Sequence, residues 1–162
     1  MTGNLPTFLP PILALNGAWD EILTRLYDVF EKDFKKSQVY HQGIKVIFNN
    51  VIKPDGQGKE EGFWHVVTKE DKKTGDRLID FDRARRLPWA EPMLRNYPVP
   101  EIKVWQYQEG PADKGMRTYV WLENFDYALI LQRRKHVFLW ITAFYVQPWK
   151  KVDLQRRYEK MA

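Results

Sequence analysis

The sequence predicts an α+β domain, with N-terminal helices packed on a four-stranded antiparallel sheet running as a meander. Three observations carry that expectation. Apolar residues recur at three- and four-residue spacing from Ala18 to about Lys36. Four short apolar or alternating stretches follow Pro100. The connections between those stretches are short enough to be hairpins. A chain of 162 residues that is 44% hydrophobic and 29% charged is long enough to bury one core without disulfides or metal staples.

The elements follow in order. Residues 1–16 hold Pro6, Pro10 and Pro11 and few charges, and are expected to form an extended N-terminal arm. Residues 17–162 then form a single α+β domain. In its first helix Trp19, Ile22, Leu23, Leu26, Val29 and Phe30 share one stripe. That helix is expected to end near Lys35 and Lys36, whose charges suit its negative pole. Gly43–Phe48 reads as a short strand and Lys53–Lys59 as a surface turn. Phe63–Thr68 reads as a second short strand or an extended segment, and Lys69–Arg77 as a polar loop. Asp80–Leu87 is a candidate helix, and a further turn or short helix starts at Pro88. The meander comprises Ile102–Tyr107, Arg117–Leu122, Tyr127–Leu131 and Val137–Val146. Lys150–Met161 is helical in pattern.

Composition narrows the chemistry. There is no cysteine, which excludes disulfides, thiolate zinc sites and a cysteine nucleophile. No apolar run is long enough to cross a bilayer and the N-terminus lacks a basic leader, so the expectation is a soluble, cytoplasmic protein without membrane contact. The 26 Lys and Arg against 21 Asp and Glu give a net charge of +5, which favours polyanions such as RNA or DNA. Phosphate-cradling glycine loops, serine elbows and helical zinc motifs are absent. His41, His65 and His136 share no metal-ligand spacing, so neither a metal nor a cofactor is expected.

Three constellations remain. His65 sits among bulky apolar neighbours in Phe63-Trp64-His65-Val66-Val67-Thr68, where it is either a structural histidine or an acid/base group. Arg83 and Arg86 share a helix face and suit a phosphate, although Asp80 and Asp82 are spaced to pair with them. Such exposed pairs contribute only about 0.3–0.5 kcal/mol. Thr142 is the lone polar residue in Phe138–Val146, and threonine is also at home in ordinary strands. Regular alternation places Phe138, Trp140, Thr142 and Phe144 on one face.

Taken in order, Phe63–Thr68, Asp80-Phe81-Asp82-Arg83-Ala84-Arg85-Arg86-Leu87-Pro88-Trp89 and Leu139-Trp140-Ile141-Thr142-Ala143-Phe144-Tyr145-Val146 resemble the phage- and prophage-associated branch of the barnase–EndoU–colicin–RelE-like nuclease superfamily. The resemblance spans about residues 60–148. It implies a ribonuclease-toxin-like fold and a metal-independent ribonuclease, a toxin or phage-conflict effector. It also implies RNA as substrate and an immunity or antitoxin protein as a partner. The matching site positions are His65, Arg83, Arg86 and Thr142, with Asp80 and Trp89 as scaffold. The family pattern reads Arg-Cys-Glu-Arg where this chain has Arg83-Ala84-Arg85-Arg86, and Thr-Ala-Tyr where it has Thr142-Ala143-Phe144. Those departures keep a non-catalytic module binding nucleic acid or protein as the alternative.

As chemistry, RNA supplies its own nucleophile in the ribose 2′-hydroxyl. The expected roles are His65 as acid/base, Arg83 and Arg86 as phosphate clamps and Thr142 as a donor to a phosphate oxygen. Glu61 is the nearest candidate for a second proton-transfer group. Trp64, Trp89 and Trp105 are candidates to stack a base, with core packing as the alternative for each. Oligomeric state and RNA target stay open.

Overall fold

The computed structural model describes residues 4–108, 110–111 and 115–161. The first three residues of the expected arm lie outside the described residues, as do four residues of the loop before Met116 and the last residue. The rest of the arm lies on the core. Leu9 is buried, Pro10 accepts a hydrogen bond from Trp89 Nε1 at 2.8 Å, and the Leu13 amide donates to the Arg85 carbonyl at 2.8 Å.

Helix α1 (Trp19–Phe30) buries Ile22, Leu23, Leu26 and Phe30, the stripe its spacing dictates. Its first turn carries Asp20 and Glu21, which suit the positive end of the helix. The helix widens into a π-helical turn over Glu31–Lys35 that brings Phe34 to 4.5 Å from the Trp140 ring.

The sheet corrects the four-stranded meander. It has six strands, in the spatial order β1 (Val39–His41), β2 (Ile44–Phe48), β8 (Val137–Tyr145), β7 (Tyr127–Arg133), β6 (Met116–Leu122) and β5 (Ile102–Gln108), and one of its pairs is parallel. Strands β5 (Ile102–Gln108), β6 (Met116–Leu122), β7 (Tyr127–Arg133) and β8 (Val137–Tyr145) run antiparallel in sequence order. Two strands from before the helical segment extend them. Strand β1 (Val39–His41) turns through Gln42 and Gly43, both at positive φ, into β2 (Ile44–Phe48). Strand β2 then lies parallel to β8, with Val46 opposite Phe138 and Phe48 opposite Trp140. Nothing local encodes that pairing, because its partners are some ninety residues apart.

Phe63–Thr68 is also corrected. It is not a strand: helix α2 (Glu61–Val67) occupies it and buries Gly62, Phe63, Val66 and Val67. Gly62 seats this helix against the end of β2. A Cβ there would stand 3.0 Å from both the Asn49 carbonyl and the Phe48 Cβ. Lys69–Arg77 is no plain loop either, since β3 (Thr68–Glu70) and β4 (Arg77–Ile79) form a separate hairpin. The expected helix from Asp80 shortens to α3 (Phe81–Ala84), with the Asp80 carboxylate capping the Arg83 amide. A 3₁₀ turn at Leu87–Trp89 leads into α4 (Ala90–Asn96).

The sheet is covered on both faces. Helices α1 to α4 bury one face around Leu26, Phe30, Phe63, Leu94, Leu129 and Trp140. Helix α5 (Pro148–Met161) covers the other through Leu154, over Trp105, Tyr119 and Trp121. The register shift between Ile130 and Leu131 leaves Ile141 without a partner on β7. This bulge breaks the expected alternation of β8. Phe138, Trp140 and Ala143 join the helix-side core, and Phe144 packs with the cluster under α5.

Candidate functional site

Helix α2 is short, so its C-terminal carbonyls depend on outside donors. The Trp64 carbonyl takes the Thr68 amide and the Thr68 hydroxyl. The His65 carbonyl takes Thr142 Oγ1 at 2.9 Å and Arg83 Nη1 at 3.0 Å. Arg83 Nη1 also donates to the Thr68 carbonyl at 2.8 Å and to Thr142 Oγ1 at 3.3 Å. A guanidinium at the negative end of a helix is favourably placed. Burial is the main cause that pulls the Arg83 pKa below the usual arginine range, against the pull of Asp80.

Arg83, Thr142 and His65 are therefore brought together, but at the main chain of His65 and not at its ring. Arg83 Nη1 caps α2 and ties β3 and β8 to it, a different arrangement from a fork held open for a phosphate. Arg86 stands elsewhere. Its Nη1 donates to the Asp82 carbonyl at 2.7 Å, and its guanidinium lies 4.5 Å from the Tyr145 ring centroid and 5.6 Å from that of Trp89.

The imidazole of His65 opens into a groove of about 790 Å³. Its walls are the Lys53–Gln57 loop, α2, the β3–β4 hairpin and Trp19. Trp64 Nε1 pins the loop by donating to the Gly56 carbonyl at 3.1 Å. His65 Nε2 is 3.9 Å from Glu61 Oε1, one helical turn back. Glu61 in turn holds Lys53 Nζ at 3.1 Å. Arg77 faces the same groove, oriented by its Nε on Thr68 Oγ1 and its Nη2 on the Thr68 carbonyl, both at 2.9 Å. Partial burial first, and the charge of Arg77 second, push the His65 pKa below the ordinary imidazole value, with Glu61 opposing. The ring is thus biased toward its neutral, proton-accepting form at neutral pH.

Sequence reasoning missed Arg77, Lys53 and Trp19. Arg77 lies in a polar run without periodicity, and only its cross-strand place opposite Glu70 in the hairpin reveals it. The tryptophans chosen from sequence as stacking candidates are occupied. Trp89 and Trp105 are buried and Trp64 is half-buried. The other histidines lie apart. His136 is exposed, and His41 is buried with Nδ1 3.1 Å from the Leu94 carbonyl. Among the described residues, no three of His, Asp and Glu are grouped to hold a metal ion, and no helix is long and apolar enough to cross a membrane. No family model, curated protein or solved structure matches this chain.

Proposed function

We propose that this groove binds RNA and cleaves it through the ribose 2′-hydroxyl without a metal, as the resemblance to the barnase–EndoU–colicin–RelE-like superfamily implies. The observation that supports the reading is the His65–Glu61 pair, facing an open groove between two cations, Lys53 and Arg77. Neutral His65 accepts the 2′-hydroxyl proton, and the Glu61 carboxylate stabilises the imidazolium that forms. The 2′-oxygen attacks phosphorus while Arg77 and Lys53 balance the added negative charge. The P–O5′ bond breaks, the departing oxygen takes a proton from water, and a 2′,3′-cyclic phosphate remains. Arg83 and Thr142 act as positioning residues, since they fix the segment that carries the imidazole.

The test is cleavage of a mixed RNA in excess chelator, with product ends mapped chemically. Cyclic phosphate ends are expected, and His65→Gln should lower the rate about 100-fold or more. Cleavage that survives this substitution, or that requires a divalent ion, rejects the reading. Binding without any product selects the non-catalytic alternative.

A further inference from the structure

We infer that Trp19 is a base-stacking residue and that the groove takes single-stranded RNA, a conclusion that rests on the reading above. Two kinds of side chain line the groove. One is polar, with His65, Glu61, Lys53 and Arg77. The other is apolar, with Trp19, Leu78 and Ile79. Trp19 is 42% exposed at the first turn of α1, and Leu78 on β4 is 51% exposed. Leaving two large apolar side chains in water on one groove is unfavourable unless something covers them. The far more exposed Trp149, at 75%, is on α5 and does not line this groove.

A nucleotide has the same division, a charged phosphate joined to a flat apolar base. The groove volume also falls in the range of small-ligand sites, about 300–1,000 Å³. Asp55, Glu61, Glu70 and Asp76 stand against Lys53 and Arg77, a net negative lining that opposes a polyanion except at those two cations. Affinity must then come from two point contacts to phosphate together with stacking, which every base can supply. Bases in a duplex are already stacked and paired, so only an unpaired strand can offer one to Trp19.

The experiment measures fluorescence anisotropy of a labelled, fully 2′-O-methylated RNA that cannot be cleaved, single-stranded and as a duplex, alongside cleavage of the unmodified strand. Trp19→Leu keeps an apolar side chain and removes the flat ring, and Trp19→Phe keeps a ring. Melting temperatures confirm that both variants fold. Trp19→Leu should weaken single-strand binding about tenfold and Trp19→Phe should restore most of it. The duplex should bind more weakly than the strand. With one phosphate neutralised by Lys53 and Arg77 together, log K should fall against log salt with a slope of about −0.7. Wild-type affinity in Trp19→Leu, or equal affinity for duplex, overturns this inference while His65-dependent cleavage keeps the nuclease reading standing. Absence of both binding and cleavage in the wild-type protein overturns the two together.

Discussion

The hydroxyl of Thr142 donates to the carbonyl of His65 at 2.9 Å, joining residues 77 positions apart. The contact makes β8 part of the cap of α2. Thr142→Val should leave that carbonyl with Arg83 alone and cost about 1 kcal/mol, measured by urea denaturation. Thr142→Ser should be close to wild type. Cleavage should fall in the valine variant as well, because the same residue carries the imidazole.

Removing Arg83 should cost more. Arg83→Met strips a donor from the carbonyls of His65 and Thr68 and leaves a charge-depleted helix end, a loss of about 2–3 kcal/mol. Arg83→Lys should recover only part, since an ammonium lacks the planar fork. Unchanged stability with a drop in RNA affinity would return Arg83 to the role of phosphate clamp.

The acid limb of the cleavage rate should lie below the ordinary imidazole value of about 6.5, because burial and Arg77 disfavour the imidazolium of His65. Arg77→Gln removes one of those causes and should move the limb upward in pH, whatever it does to the maximum rate. Glu61→Gln removes the opposing carboxylate and should move it further down. Shifts in the reverse of these directions, or none, would separate His65 from the proton transfer. A pH series of initial rates under substrate-limited conditions reads this directly.

His41 gives a second pH effect, on stability alone. Burial depresses its pKa in the folded state, against its hydrogen bond to the Leu94 carbonyl. Between the depressed value and about 6.5 the unfolded chain binds the extra proton, so stability is complete above that window and declines as pH falls through it. His65 shifts in the same direction. Denaturation midpoints of His41→Phe in a His65→Gln background should therefore depend less on pH from 7 to 5 than those of His65→Gln alone.

Gly62→Ala tests the seating of α2. The added methyl meets the Asn49 main chain and the Phe48 Cβ at about 3.0 Å, so the helix or these neighbours must give by a few tenths of an ångström. A loss of about 1–3 kcal/mol is expected in chemical denaturation, with reduced cleavage because His65 moves with the helix.

The sequence discloses the last four strands because each alternates between two buried faces or runs apolar with turn formers at its ends. It does not disclose β1 and β2 as an addition to that sheet. Gln42-Gly43 is a turn signal, but the parallel partner of β2 lies far down the chain. Helix α2 reads as a strand because its seven residues are too few to display a helical period, and because Val66 and Val67 are β-branched. The β3–β4 hairpin is mostly exposed and polar, so no alternation marks it. At the site, His65 stood out as a polar residue in an apolar run. The carboxylate and cations around its ring belong to three different segments and meet only in the fold. The bulge at Ile141 explains Tyr145 as well: counting by twos turns it away from the helices, whereas it lies under the Arg86 guanidinium.

Strand β8 sits between β2 and β7, yet it is made after both. Without β8, the β1–β2 pair and the β5–β6–β7 strands have no hydrogen-bonded link to each other. The one strand that closes the sheet also delivers Thr142 to the His65 carbonyl. Loss of its pairing would therefore split the sheet and release the helix that carries the imidazole in one event.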